Sequence, residues 1–179
     1  MSLIPQKISE RTPAGTITGA ELVPIVQGGL DRVATVQDLL DFGTELSKFT
    51  TEGGYAIKLL NKTGAASVKG QSVAASTATA NAVMTTPADG DMPIGVMYEA
   101  GVPDGALCWV VVSGIAEVLF KNTVAPILGG VIYSSSVAGR VDIASTIPAA
   151  ATHFKEHGHC FEAKTAGTDV LAKCNLHFN

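Results

Sequence analysis

From Tyr55 onward the chain is cut into short runs rich in β-branched and aromatic residues, separated by Gly, Pro, Asn and Asp at roughly ten-residue intervals. Runs of that length suit strands and are too short for amphipathic helices. The pattern predicts a mainly β protein whose body is a small β-barrel or sandwich. The predicted strands are 56–61, 67–74, 82–86, 94–98, 107–113, 115–120, 131–134, 140–143, 157–163 and 170–178.

Cys108, Trp109, Val110, Val111 and Val112 are apolar at successive positions, so a strand there needs cover on both faces and belongs at the centre of the core. Gly114 follows and permits a tight bend. Residues 61–64, 89–91 and 103–105 and Gly139 carry turn chemistry and read as connections. The segment 74–82, made of Ala, Ser, Thr and one Asn, is too polar for central core and is expected to form a surface strand or a contact between chains.

Residues 1–52 differ from this body, 53–179, and the pair Gly53 and Gly54 marks the expected seam. The run Leu22, Val23, Pro24, Ile25, Val26 is extended, and Pro24 restricts it to an edge strand or an irregular piece. Gly28 and Gly29 supply a turn. Thr35 stands three residues ahead of Asp38, as at a helix start where a hydroxyl caps a free amide and a carboxylate favours the first turn. A short helix, 36–42, is predicted, presenting Val36, Leu39, Leu40 and Phe42. So few apolar side chains do not hold an isolated helix together in water. The segment therefore reads as an extended N-terminal arm carrying a short helix, with Leu22 to Val26, Val36, Leu39 and Leu40 as its attachment residues.

Charge and hydropathy remove several function classes. Twelve Lys and Arg stand against 16 Asp and Glu, the net charge is −4, and no basic cluster is present, so a nucleic-acid partner is not expected. No stretch reaches the roughly 18 apolar residues of a membrane span, and the N-terminal residues lack the apolar core of a signal peptide. No membrane partner is expected, and folding is expected in a cytosol. Cys108, Cys160 and Cys174 cannot all pair within the chain and lack CxxC spacing, so free buried thiols are expected.

The most enzyme-like feature is C-terminal, where His153, His157, His159, Cys160, Cys174 and His177 collect every histidine and two of the three cysteines. On a regular strand His157 and His159 share a face and Cys160 takes the other. Metal candidates are therefore His157 and His159, completed by Cys174 or His177. No CxxC or HExxH spacing supports them, and strand histidines beside buried thiols explain the residues without an ion. Ser113 lacks the G-x-S-x-G turn of a hydrolase. Asp89, Asp91, Glu99 and Asp104 read as turn residues ahead of a glycosidase pair. The Gly-Gly pairs lack the strand–loop–helix setting that cradles phosphates. No cofactor and no catalytic residue is expected.

The stretch from Lys7 to Leu40 resembles the attachment segments at the start of many phage fibre and virion proteins, which repeat I-S-E-L-P, G-x-E-L-V-P-V-V-Q-G-G-x-T and T-x-x-D-L. The matching residues are Ile8, Ser9, Glu10, Pro13, Glu21, Leu22, Val23, Pro24, Val26, Gln27, Gly28, Gly29, Thr35, Asp38 and Leu39. The body resembles capsid-associated β-domain proteins of tailed phages through the runs at 93–96 and 109–118, with 129–133 and 157–162 completing the barrel. The resemblance implies a non-enzymatic virion protein, assembled in the bacterial host cytoplasm, that sits on the capsid surface as a decoration protein or short head fibre. It implies the major capsid protein or another virion protein as partner, and self-association as a homotrimer. A fibre anchor ordinarily precedes a long shaft, and the length that follows here suits a decoration better. Alternatives are a tail-associated adaptor or short tail fibre and, from another class, a carbohydrate-binding module or small metal-dependent hydrolase.

Overall fold

The all-apolar run around Trp109 extends further than its composition suggests, because the glycine behind it does not end the strand. In a computed structural model, which describes residues 22–27, 30–35, 46–146 and 150–178, a single strand runs Leu107–Leu119. Gly114 adopts φ +79° and lies opposite Gly54. A Cβ at Gly114 would meet the Gly53 carbonyl oxygen at 2.7 Å. Two facing residues without side chains let the backbones approach, and the strand continues past the bend to a new set of neighbours.

The chain divides into two units, Met1–Glu45 and Leu46–Asn179. In the first, β1 (Leu22–Gln27) and β2 (Leu30–Thr35) form an antiparallel pair from Leu22↔Thr35 to Gln27↔Leu30. Pro24 sits opposite Val33 in a two-stranded sheet, where both strands are edges, as its missing N–H requires. The predicted helix 36–42, with Val36, Leu39 and Leu40, lies outside the described residues.

In the second unit the strands are β3 (Ser47–Phe49), β4 (Gly54–Asn61), β5 (Ser72–Ala75), β6 (Ala82–Thr85), β7 (Pro93–Met97), β8 (Leu107–Leu119), β9 (Val131–Ser134), β10 (Val141–Ala144), β11 (Glu156–Cys160) and β12 (Leu171–Leu176). A 3-10 helix, Ala150–Lys155, leads into β11. The order β8–β7–β5–β6–β4 returns to β8 and closes a barrel, with β4 and β6 parallel and the other neighbours antiparallel. The second half of β8 pairs with β12, which leads through β11 and β9 to β10. A parallel bridge, Phe120↔Val141, brings β10 back to the end of β8. Arg140 fastens that closure by donating to the Phe120 carbonyl at 2.9 Å. The expected β-barrel body is therefore present, elaborated by outer strands.

Each face of β8 feeds its own core. Cys108 and Val110 pack with Val73, Val83 and Met97. Val111, Ala116, Val118 and Phe120 pack with Ala56, Val96, Ile132, Val141, Cys160, Ala172, Cys174 and Leu176. Both sides are thus covered, as the unbroken apolar run requires. All three thiols are free and buried, as expected.

Some segments depart from the sequence reading. Gly53 lies in the connection between β3 and β4 and Gly54 opens β4, both inside the second unit, which begins at Leu46. β5 begins only at Ser72; of the segment 74–82, Ala74 and Ala75 end β5 and Ala82 opens β6, while 76–81 form the loop between them, in which the Ser76 hydroxyl accepts from the backbone N–H groups of Ala78 and Thr79. Side-chain capping of that kind competes with strand pairing.

Candidate metal centre

β11 reads Glu-His-Gly-His-Cys, and an even alternation would put both histidines on one face. The pairing with β9 prevents it: Glu156 lies opposite Tyr133 and Gly158 opposite Ile132, leaving His157 as an extra residue in a β-bulge. Gly158 has φ +138°, and a Cβ there would lie 1.9 Å from the Asn175 carbonyl oxygen. Only glycine fits, and the kink parts the two histidines.

His157 turns inward and is fully buried. Its Nδ1 lies 3.0 Å from the Lys155 carbonyl oxygen, which can only accept, so Nδ1 carries the proton. Nε2 then accepts from the Ser72 hydroxyl at 2.6 Å, and Ser72 in turn accepts from Thr86 at 2.8 Å. Burial pushes the imidazole down to about 4, against a smaller opposite pull from the Lys155 carbonyl. The pair has the composition of a serine nucleophile and its base. However, Ser72, Thr86 and His157 are all sealed from solvent, and the third partner is a backbone carbonyl in place of a carboxylate. This triad is a satisfied polar network inside the fold.

His159 stays on the other side. Its Nδ1 faces His177 Nε2 at 2.8 Å, with ring centroids 5.0 Å apart. His177 follows β12 directly, and its backbone N–H donates to the His157 carbonyl at 3.0 Å. Glu156 Oε1 lies 3.7 Å from His177 Nε2, and Glu156 Oε2 lies 3.1 Å from His153 Nδ1 at the end of the 3-10 helix. One ligand atom each from Glu156, His159 and His177 lies within 4.8 Å of the other two. The carboxylate is buried, while 43% of the His177 side chain and 56% of the His153 side chain remain exposed.

Of the sequence-derived metal candidates, the structure therefore brings together His159 and His177. His157 is withdrawn by the bulge. Cys174 is buried in the core opposite Cys160, and the nearness of the two thiols holds that of Cys160 lower and that of Cys174 higher than usual. Glu156 was missed because only nitrogen and sulfur donors had been gathered. Its spacing of three residues from both His153 and His159 was the available signal.

No protein-family model matches this chain, and no curated protein matches its sequence.

Neither of two open grooves offers a sugar an aromatic platform. One, of about 430 Å³, runs along Ala74, Met84, Pro87, Met92 and Ile94. The other, of about 550 Å³, is lined by Leu46, Lys58, Leu59, Leu60, Asn81 and Leu107. Trp109, the one tryptophan, is already engaged by Lys48 and Lys58, whose ammonium groups lie 4.4 and 5.0 Å from its ring centre.

Proposed function

We propose that this chain is a tailed-phage virion protein that attaches to the capsid surface and decorates or stabilises it, without catalysing a reaction. The observation that carries this reading is the attachment-type pattern from Lys7 to Leu40, set ahead of a β body. Leu22, Val23, Pro24, Ile25 and Val26 form the strand β1, and in this reading they and Val36, Leu39 and Leu40 dock on the major capsid protein or another virion protein. A strand or short helix laid on a partner needs no deep pocket, and many modest interfaces on one particle add up to avidity.

The body suits packing between copies. Leu46 and Leu107 are exposed at 73% and 57% and line the same groove, the kind of apolar surface that self-association buries. A homotrimer around a capsid symmetry position is the assembly proposed. The lysine-covered Trp109 weighs against the sugar-binding alternative.

Light scattering on the purified chain, combined with binding to phage capsids stripped of accessory proteins, tests the proposal. A trimer that binds stripped shells supports it. A monomer that ignores them overturns it and brings the tail adaptor forward.

A further inference from the structure

We infer that Glu156, His159 and His177 form a binding site for one late first-row divalent transition ion per chain, of which Zn²⁺ is the representative. Two imidazole nitrogens, His159 Nδ1 and His177 Nε2, are held face to face at 2.8 Å. Neutral lone pairs at that separation repel unless a proton or a metal ion lies between them. A buried carboxylate at 3.7 Å adds a negative charge that favours the doubly charged occupant over a single shared proton.

The three donors lie within 4.8 Å of one another, close enough to converge on one small ion. Ligands about 2.0–2.1 Å from zinc lie roughly 3.3 Å apart, and the observed 2.8 and 3.7 Å bracket that value. Two imidazoles and one carboxylate suit zinc, cobalt or nickel, whereas magnesium and calcium select sets made of oxygen. His153 supports the site from outside, its Nδ1 3.1 Å from Glu156 Oε2, as second-layer partners of metal ligands do. The exposed side of His177 leaves a fourth position to water. Ligands from β11 and from the residue after β12 make the ion a clip between two antiparallel neighbours, closing the end of the pair where β12 runs out.

The test is calorimetric titration of ZnCl₂ into the full chain after treatment with EDTA, with Co²⁺ as a spectroscopic probe. The expected result is one zinc per chain, a rise in Tm on saturation, and intense Co²⁺ bands in the visible typical of tetrahedral coordination. His159→Ala and His177→Ala, both at partly exposed positions, are expected to abolish saturable binding with unchanged circular dichroism. His153→Ala is expected to weaken it about tenfold. Absence of saturable zinc binding by the wild-type chain overturns the inference. So does undiminished binding by the His159 variant, or one ion shared by three chains. The cobalt spectrum is read on the wild-type chain and so does not depend on any variant folding.

Discussion

Acidification is predicted to destabilise this fold through one histidine. His157 is buried and neutral, with its free-state value of 6.5 pushed down to about 4. Between those two values the unfolded chain binds a proton there that the folded chain refuses, so stability falls as the pH falls. The contribution is fully present above pH 6.5. By pH 5 the loss is about 2 kcal/mol, and at about 1.4 kcal/mol per pH unit it levels off near 3 kcal/mol below pH 4.

Urea unfolding followed by the fluorescence of Trp109, at pH 7, 6, 5 and 4, measures this directly. Other groups titrate in the same range, so the informative quantity is the difference from His157→Gln, whose amide can accept from Ser72 without a charge change. That variant is expected to start about 1–3 kcal/mol less stable at pH 7, through imperfect replacement of a buried hydrogen-bonded group. It is also expected to show a flatter pH dependence, so the two curves converge toward pH 4. Parallel curves would refute the assignment of His157 as a neutral buried imidazole.

Two further predictions concern the same β11–β12 region and the thiols. Gly158→Ala places a Cβ against backbone that cannot yield, and is expected to cost more than about 3 kcal/mol in urea unfolding; a wild-type midpoint would show that the bulge is not needed. In the native protein none of Cys108, Cys160 and Cys174 is expected to react quickly with a bulky disulfide reagent, because all are buried and Cys108 is pushed up to about 11. All are expected to react after unfolding, and a single fast thiol in the folded chain contradicts this.

The strands legible in the sequence were those with side chains committed to a core. Β-branched runs at 82–86, 94–98 and 131–134 reappear almost unchanged as β6, β7 and β9. β3 was invisible because Ser47, Lys48 and Phe49 have no alternation of their own, with Phe49 81% exposed, and owe their conformation to the register with β4. β2 lacked a period for the same reason, since Asp31 and Arg32 interrupt its apolar residues. The break expected at Gly114 was a sound inference from glycine alone; only the facing Gly54, distant in sequence, lets the strand continue.

The candidate site was half legible for a more specific reason. Residue spacing assigns faces only while the strand period holds, and one inserted residue reverses every assignment on one side of it. Here the insertion falls between the two histidines that the spacing had paired. Its effect is to give a short strand two unlike environments. One side chain becomes part of an interior network with Ser72 and Thr86, and its neighbour two residues on joins a carboxylate and another imidazole near the surface. The glycine between them was present in the sequence, and an interior strand glycine is a recognised sign of a bulge. Weighing Gly158 before counting alternate positions would have released His157 from the ligand set and drawn attention to Glu156, the residue on the far side of the same kink.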